Sequence, residues 1–416
     1  MSEHHVIVGD GIAGATCAVT IRKNSDDARI TVITNEEEPL YNRVKIKDFA
    51  KGKTEEQKVM MHDLDFYEKS DIELMLGTTV VKVEDERKVV VLENGSELKY
   101  DKLCYAAGGT PRRLGLQGGD AEGIHTFWKL SDARRIREHA QQSKSGVAIG
   151  AGLLGIDIAV VFALNDVDTK YVMRGNRWWR EGLSKAGSEI VERGLADLGV
   201  ECVFFETPKR FLTEGGKVAG LETESGKVID CDIAGVAVGL NFNLAPVQDS
   251  NIKTGEGILT DSYLRTSVPD VWAAGDITQY FDVIQDRINM NGSWVSAKAQ
   301  GEAAGLNMAG IETEFRHVDT YNINHFPFMV GSVGSIYGDQ DAERKYSETE
   351  YRRLLFKQGR LNGAVLIGNI AIQAQLKKII EAKVECYHLA EKLLEPKWKA
   401  EDVLEELGAT EKAQTA

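Results

Sequence analysis

The chain has 416 residues and a formal net charge of −14, from 50 basic and 64 acidic side chains. This length exceeds what one hydrophobic core usually supports, so two or three domains are expected. The negative charge repels phosphate backbones and anionic lipid headgroups, which disfavours nucleic acid and membrane surfaces as partners.

The N-terminal sequence and the cysteines bear on where the protein works. The chain enters an apolar segment without the basic stretch and long hydrophobic run of a signal peptide, and no apolar run approaches the ~20 residues that span a bilayer. The cysteines form no C-x-x-C pair, so we expect buried, reduced thiols rather than a disulfide framework or a zinc site. They are Cys17, Cys104, Cys202, Cys231 and Cys386. We therefore expect a cytoplasmic protein without a bound metal.

A glycine-rich turn, GDGIAG, lies between a strand predicted at 5–8 and a helix predicted at about 15–23, and a second strand is predicted at 29–34. This order is the context that a dinucleotide-binding fingerprint requires. Gly9 permits the tight turn, Gly11 lets the backbone approach a pyrophosphate, and Gly14 allows close helix–strand packing. The helix N-terminus supplies free N–H groups for the phosphates. Glu36, 22 residues after Gly14, is the acid expected to bind ribose hydroxyls.

The same pattern returns 141 residues later, as GAGLLG. Its predicted elements are a strand at 146–149, a helix at 156–164 and a strand at 169–173. Gly150, Gly152 and Gly155 take the three glycine roles, but the residue 19 past Gly155 is Arg174 rather than an acid. An arginine there accepts a 2′-phosphate, which favours NADPH over NADH, with Arg177 and Arg180 assisting; the alternative is a solvated basic turn.

Other segments suggest further structure. Short antiparallel strands are predicted at 79–83, 88–92 and 97–99. From about Arg316 onward, predicted strands and a helix at 370–380 indicate a small separate domain, and the tail after Leu407 is predicted to be disordered. Asp276 follows a strand predicted at 271–274, where its carboxylate either binds a sugar hydroxyl or forms an ordinary turn.

By its ordered sequence blocks, the chain resembles the two-dinucleotide-domain flavoproteins of the pyridine-nucleotide–disulfide oxidoreductase superfamily. The similarity is greatest to the NADH:rubredoxin or ferredoxin reductase and nitrite-reductase flavin branches. The blocks are VIVGDGIAGATCA, EEEPLYNR, DKLCYAAGGTPRR, GAGLLGIDIA, SVPDVWAAGD and NGSWVSAKAQGEAAGLNMAG. The segment 351–368 resembles the small C-terminal domain of that family, and MRGNRWWR and YNRVKIKDFAKG resemble archaeal members.

The resemblance implies an α/β fold with two Rossmann-like domains of the glutathione-reductase type and a small α+β C-terminal domain. A discontinuous FAD-binding domain is expected at 1–112 and 244–312, with the NAD(P)-binding domain at 113–243 between its two parts. The C-terminal domain is expected at 313–407, followed by a disordered tail at 408–416.

The resemblance also assigns cofactor contacts. Arg43 is expected at the FAD pyrophosphate, the turn at Ala107 and Gly108 behind the cofactor, and Asp276 at the ribityl chain. With the first fingerprint included, the residues predicted to bind FAD are Gly9, Gly11, Ile12, Ala13, Gly14, Glu36, Arg43, Val81, Ala107, Gly108, Gly275, Asp276 and Trp294. Those predicted to bind NAD(P) are Gly150, Gly152, Leu153, Leu154, Gly155, Arg174 and Gly239. Trp294 and Gln300 fall in the segment that passes the isoalloxazine in the family, although an aromatic residue there also suits core packing.

Two features concern catalysis. Relatives often pair a glutamate, two residues after the last NAD glycine, with a lysine near flavin N5; here the acid is Asp157 and the lysine is Lys47. Such a pair would orient the nicotinamide and favour flavin reduction; otherwise both are unremarkable surface groups. The disulfide-reductase branches need reactive cysteines near 41–52, and this segment has none, which excludes a thiol relay.

The resemblance therefore implies an oxidoreductase that transfers hydride from NAD(P)H to FAD and electrons on to a small carrier such as rubredoxin or ferredoxin. Alternatives are a direct reductase of a quinone or other small molecule, and a redox-sensing flavoprotein with little turnover. His325, Phe326 and Phe328 either cover the flavin, contact the partner subunit of a homodimer, or pack in the core, and core packing is preferred.

Overall fold

The computed structural model describes residues 2–409. The α-helices within this range are α1 (Ile12–Asn24), α2 (Ile46–Ala50), α3 (Leu64–Lys69), α4 (Leu130–Ala140), α5 (Leu153–Ala163), α6 (Lys185–Asp197), α7 (Trp294–Met308), α8 (Gln373–Ala382), α9 (Ala390–Leu393) and α10 (Ala400–Glu406). The strands are β1 (His4–Val8), β2 (Arg29–Ile33), β3 (Ile72–Met75), β4 (Val80–Glu84), β5 (Val89–Leu92), β6 (Glu97–Lys99), β7 (Lys102–Tyr105), β8 (Gly109–Pro111), β9 (Ile124–Thr126), β10 (Ser145–Ile149), β11 (Asp168–Val172), β12 (Val200–Val203), β13 (Pro208–Glu214), β14 (Lys217–Thr223), β15 (Val228–Asp230), β16 (Ile233–Val236), β17 (Leu240–Phe242), β18 (Ile258–Thr260), β19 (Val271–Ala273), β20 (Thr278–Asp282), β21 (Arg287–Asn289), β22 (Thr320–Ile323), β23 (Val330–Gly334), β24 (Gln340–Lys345), β25 (Tyr351–Lys357) and β26 (Arg360–Ile367).

Contacts divide the chain into two units. The first unit holds the residues up to Lys45, then Glu56–Thr110 and Leu240–His317. The second unit holds Ile46–Glu55, Pro111–Gly239 and the described residues from Val318 onward. Each unit thus contains one glycine-rich fingerprint, and the three-domain division stays a prediction.

The first unit is built on a five-stranded parallel sheet in the order β19-β7-β1-β2-β3. The strands read as short runs of buried branched residues, as expected for a parallel sheet covered on both faces. Helices α1 and α7 pack closely because α7 carries glycine at the contact: a Cβ on Gly301 would lie 2.2 Å from the carbonyl O of Ala13. An antiparallel sheet β4-β5-β6 and a mixed sheet β18-β20-β21 complete the unit.

The second unit repeats this design with a parallel sheet in the order β12-β11-β10-β16-β9. An antiparallel sheet β13-β14-β15 accompanies it. The C-terminal part of the unit is a five-stranded antiparallel sheet, β22-β23-β26-β25-β24, on which α8 packs.

The predicted fold class is confirmed, and the differences are mainly at helix ends. Helix α1 begins at Ile12 rather than at residue 15, and α5 begins at Leu153 rather than at 156. The last glycine of each fingerprint, Gly14 or Gly155, therefore lies inside the first turn of its helix, where the absence of a side chain permits contact with the preceding turn. The predicted disordered tail lies outside the described residues from residue 410 onward, while Ala409 is buried.

Candidate functional site

The first fingerprint forms a turn that tolerates side chains at some positions and not at others. Gly9 has a φ of +109°, and a Cβ there would lie 2.3 Å from the carbonyl O of Ala106. A Cβ on Gly14 would lie 1.8 Å from the carbonyl O of Gly9. By contrast, a Cβ on Gly11 would meet no described atom within 4 Å. The turn is therefore tightly packed on its inner side and open at Gly11.

The N-terminus of α1 has the properties of an anion site. Gly11 is the N-cap residue, and among the described residues no side chain caps the first turn. The amide N–H groups of that turn are available, and the helix dipole places partial positive charge there. The open space at Gly11 and the uncapped amides fit the pyrophosphate of a dinucleotide.

The predicted ribose ligand lies beside this turn. Glu36, Arg43, Asp10 and Gly11 line one small cavity, together with Tyr41 and its neighbours. The two carboxylate oxygens of Glu36 accept hydrogen bonds from Tyr41 Oη and Arg43 Nη2, each at 2.5 Å. Arg43 thus pairs with Glu36 and lines the same cavity as Gly11 of the phosphate turn; its contact with the FAD pyrophosphate, which the family resemblance implies, stays a prediction.

Asp10, the residue between Gly9 and Gly11, was not among the predicted site residues. Its side chain is buried, and Tyr67 Oη donates to both carboxylate oxygens at 2.7 and 2.9 Å. Burial raises the pKa of Asp10 to about 7, against the lowering effect of Tyr67 and the backbone of Leu40. No sequence signal points to Asp10, because the residue between the first two glycines of a fingerprint is variable.

We expect Asp10→Asn to remove a pH dependence of stability. The pKa of Asp10 is raised on folding, so its ionisation destabilises the folded protein increasingly as pH rises from about 4 through about 7. The variant should gain on the order of 2–4 kcal/mol more stability, relative to the unsubstituted protein, at about pH 8 than at about pH 4. Urea unfolding of the cofactor-free protein measures this, with the exposed Asp26→Asn as control. Equal gains at both pH values would contradict it.

The remaining residues predicted for FAD lie at several elements of the first unit. Gly275, after β19, approaches α1, because a Cβ there would lie 3.0 Å from Cβ of Ala13. Its amide N–H donates to Gln300 Oε1 at 2.8 Å, so Gln300 has a structural contact. Asp276 is half-buried, and Trp294 is partly buried at the start of α7. The structure thus brings Gly275 next to the first fingerprint.

Two further predicted positions differ in their surroundings. The carbonyl O of Ala107 accepts from Asn243 Nδ2 at 2.8 Å, and Gly108, with a φ of +55°, has open space at its Cβ position. Val81 is exposed in β4, at an irregularity in the pairing with β5. The role of Val81 at FAD stays a prediction.

The second fingerprint repeats the geometry of the first. Gly150 has a φ of +120°, and a Cβ there would lie 2.1 Å from the carbonyl O of Ala237. A Cβ on Gly155 would lie 1.8 Å from the carbonyl O of Gly150. Gly152 has no described atom within 4 Å of its Cβ position, and no described side chain caps α5. This turn therefore also fits a pyrophosphate.

The other residues predicted to bind NAD(P) lie at the start of α5, at Gly239 and after β11. Leu153 and Leu154 open α5 and are partly buried, and Gly239, with a φ of +106°, has open space at its Cβ position. Tyr171 Oη donates to the carbonyl O of Gly150 at 2.6 Å, which fixes the turn to β11. Arg174 follows β11 and is exposed.

Lys47 and Asp157 are brought together within the second unit. Lys47 Nζ lies 2.5 Å from Asp157 Oδ2, and the side chain of Asp157 is fully buried in α5, two residues after Gly155. Burial alone would raise the pKa of Asp157, but Lys47 and His325 lower it below its usual range. Burial opposes ionisation of Lys47 as well, yet Asp157 and Tyr321 raise its pKa overall. The pair is therefore ionised and shielded from bulk water.

Three further residues belong to the same cluster and have no catalytic role in the sequence analysis. Tyr321 contacts Lys47, His325 contacts Asp157, and Lys51 contacts His325. His325 was singled out there, but only as part of an aromatic segment with core packing preferred; Phe326 is indeed buried and packs on Phe328. No sequence spacing links His325 to Asp157, because 168 residues separate them.

Among residues 2–409, no helix is long and apolar enough to cross a membrane, and no cluster of three or more candidate ligands for a metal is found. All five cysteines are free thiols, and four of them are buried. The cysteine of α1, Cys17, packs against the sulfur of Met308 at 3.7 Å.

Comparisons with known proteins agree with this architecture. Residues 3–301 match the family described as pyridine nucleotide-disulphide oxidoreductase, and residues 323–384 match the rubredoxin NAD+ reductase C-terminal domain. The crystal structure of the covalent putidaredoxin reductase–putidaredoxin complex superposes with a TM-score of 0.91 at 21% identity, covering 98% of this chain and 99% of that chain.

Two curated relatives illustrate the range of similarity. NADH-rubredoxin oxidoreductase of Clostridium acetobutylicum is 25% identical over 381 residues, covering 91% of this chain and 94% of that protein. The NAD(P)H nitrite reductase of Bacillus subtilis is 24% identical over 387 residues, covering 91% of this chain and 47% of that protein. The chain thus spans about half the length of this relative and of the assimilatory nitrate reductase electron transfer subunit from the same organism.

Proposed function

We propose that this chain, which belongs to the pyridine nucleotide-disulphide oxidoreductase family, binds FAD at its first fingerprint and a nicotinamide dinucleotide at its second, and transfers electrons from the second to the first. The observation that carries the proposal is the duplicated turn, in which Gly11 and Gly152 are each open beside an uncapped helix N-terminus. Family membership supports FAD and NAD(H) as the two cofactors. FAD, when bound, supplies a hydride acceptor that can return electrons one at a time.

The chain's own residues would bind and orient these cofactors. We assign the FAD ribose to Glu36 and the FAD phosphates to the α1 turn with Arg43. Lys47 and Asp157 would flank the nicotinamide ring, where a fixed ammonium in a water-excluded site stabilises developing negative charge more than the same group does in water. The free thiols suit a reducing compartment, and we place the reaction in the cytoplasm.

We propose a small redox carrier of the rubredoxin or ferredoxin type as electron acceptor. Segment 41–52 contains no cysteine, so electrons have no thiol to pass through. The match of residues 323–384 to the rubredoxin NAD+ reductase C-terminal domain and the names of several relatives favour a carrier over a disulfide.

The acceptor is tested by reducing the purified flavoprotein anaerobically and mixing it separately with rubredoxin, a [2Fe-2S] ferredoxin, benzoquinone and oxygenated buffer. The proposal expects a carrier to reoxidise the flavin faster than oxygen does. Turnover with benzoquinone alone would favour a direct small-molecule reductase. Slow reoxidation by every acceptor would favour a redox sensor.

We further propose that the second site prefers NADPH. Arg174 is exposed at the carboxyl end of β11, and its guanidinium donates to no other described residue. Arg177 instead donates to the backbone carbonyls of Leu183 and Arg180, and the Arg180 guanidinium pairs with Glu181. Of these three arginines, Arg174 is the one whose guanidinium is available to a 2′-phosphate.

Arg174→Glu is expected to reverse the nucleotide preference. Loss of a charge-assisted contact and repulsion by the new carboxylate should raise KM for NADPH by about 10- to 100-fold, while KM for NADH stays equal or falls. Arg180→Glu is the matched control and should change either KM by less than about twofold. Steady-state kinetics with both nucleotides measure the effect. An unchanged KM ratio in Arg174→Glu would remove the case for NADPH.

A further inference from the structure

A continuous network of polar side chains extends from Lys47 into the interior of the second unit. Lys47 contacts Asp157, and Asp157 Oδ1 lies 2.7 Å from His325 Nε2. His325 Nδ1 in turn lies 3.2 Å from Lys51 Nζ. The side chains of Asp157, His325 and Lys51 are 0%, 2% and 2% exposed. Buried polar groups linked in this way are costly unless each is satisfied, which calls for a role beyond packing.

The partners of His325 allow one protonation state of its ring. An ionised Asp157 can only accept a hydrogen bond, so Nε2 must carry a proton. The Lys51 ammonium can only donate, so Nδ1 must be unprotonated. His325 is therefore neutral, in the Nε2–H tautomer. Burial lowers the pKa of His325, and the nearby lysines lower it further, although Asp157 opposes this.

His325 holds the carboxylate oxygen that Lys47 does not. Lys47 Nζ lies 2.5 Å from Asp157 Oδ2, and His325 Nε2 lies 2.7 Å from Asp157 Oδ1. The contact between His325 Nε2 and Oδ1 thus fixes the rotation of the carboxylate, and the carboxylate fixes Lys47. Tyr321 adds a second contact, with its hydroxyl O 3.0 Å from Lys47 Nζ.

The charged groups in direct contact within this network are two ammonium groups and two carboxylates. The ammonium groups of Lys47 and Lys51 face the carboxylates of Asp157 and Asp48, and the neutral imidazole lies between Lys51 and Asp157. Burial lowers the pKa of Lys51, and Asp157 and Asp48 counteract this. The titratable groups that face the network are Asp157 on α5, Lys47 and Asp48 on α2, Lys51 and Lys53 after α2, Tyr321 on β22 and Tyr171 on β11.

We propose that His325 is a positioning residue of the proposed nicotinamide site: held in one tautomer by Lys51, it orients Asp157 and thereby the Lys47 ammonium. This rests on the proposed function, which places Lys47 and Asp157 at the nicotinamide. His325 acts through Asp157 and needs no contact with either cofactor.

A matched pair of substitutions isolates the hydrogen bond. His325→Gln keeps an N–H donor for Asp157, whereas His325→Leu removes it, and both remove the titration of the imidazole. Loss of the donor raises the pKa of Asp157, which Lys47 and His325 hold below its usual range in the unsubstituted protein. The leucine variant should therefore lose stability relative to the glutamine variant as pH rises from about 2.5 to about 6, through the Asp157 pKa values of the two variants. The denaturant midpoints of both FAD-loaded variants, measured across this range, report the difference. Parallel pH dependences would overturn the proposal.

The same pair has a kinetic signature. In stopped flow, His325→Leu should lower the limiting rate of flavin bleaching by NADPH at least about tenfold, with the nucleotide Kd changed less than about threefold. His325→Gln should restore the rate to within about threefold of the unsubstituted protein. Equal rates in both variants would overturn the positioning role.

Lys51→Met tests the tautomer independently, because methionine keeps the length and packing of the lysine stem. Without the Lys51 ammonium, the pKa of His325 should rise, which NMR of protein labelled with ¹⁵N-histidine measures on the FAD-loaded protein. The unsubstituted protein should show His325 as the Nε2–H tautomer. An Nδ1–H tautomer, or an unchanged pKa in Lys51→Met, would overturn the proposal.

The stability and NMR measurements need no hydride donor. Suppose that neither nucleotide bleaches the flavin, but the pH dependence of stability still differs between His325→Gln and His325→Leu as expected. The proposed function then fails, while the orientation of Asp157 by His325 holds. If the unsubstituted protein is bleached normally, and His325→Gln behaves like His325→Leu in both bleaching rate and pH dependence of stability, the positioning role fails and the proposed function remains.

Discussion

Replacing Gly152 by valine is expected to leave a folded, yellow protein whose flavin is bleached by NADH and NADPH at least about 100-fold more slowly. Gly152 has φ −99° and ψ −176°, extended backbone that valine adopts, and its Cβ would meet no described atom within 4 Å. The side chain therefore costs the protein little, but it fills the space reserved for a pyrophosphate. Stopped-flow absorbance of the flavin measures the bleaching.

The control for this variant is a substitution at a glycine that is needed for packing. Gly155→Val would place a Cβ 1.8 Å from the carbonyl O of Gly150, so it should destabilise the protein rather than act on nucleotide binding alone. Normal bleaching of a well-folded Gly152→Val protein would show that no dinucleotide binds at this turn.

Gly11→Val is expected to yield a folded protein that purifies colourless. Gly11 has φ −72° and ψ 175°, and its Cβ position is open. Valine at this helix N-cap costs on the order of 1 kcal/mol, a small loss compared with that of the pyrophosphate contacts. The ratio of flavin absorbance to protein absorbance, before and after incubation with added FAD, measures the effect.

The two valine variants are controls for each other. If the fingerprints are separate sites, Gly11→Val loses the flavin and Gly152→Val keeps it. A yellow Gly11→Val protein would contradict the assignment of FAD to the first unit, and a colourless Gly152→Val protein would contradict the separation of the two sites.

Much of the fold could be predicted because its signals are local. The two fingerprints, their flanking strands and the hairpin 89–99 are encoded by glycine spacing and hydrophobic period within short windows. The position of Glu36 beside the first turn could be predicted for the same reason, since its distance from Gly14 is set by one strand and one helix. The fold class is confirmed, while the site assignments and the likeness to archaeal members stay predictions.

The contacts that could not be predicted join segments distant in sequence. His325 reaches Asp157 from 168 residues away, and Lys51 lies 274 residues before His325. From sequence alone, a histidine near two phenylalanines is interpreted as a core residue, because its polar partners are unknown. The charged groups are brought together by the packing of α2, α5 and the segment after β22. Asp10 was missed for a different reason: its raised pKa arises from burial, which a glycine motif does not report.

Electron transfer between the two sites is tested most directly by purifying the protein, recording its visible spectrum, and following anaerobic bleaching by NADH and NADPH in parallel stopped-flow experiments. We expect a yellow protein that is bleached by a nicotinamide nucleotide, with NADPH at least about tenfold faster than NADH. A colourless protein, or a yellow one that neither nucleotide bleaches, would contradict the transfer of electrons between the two sites.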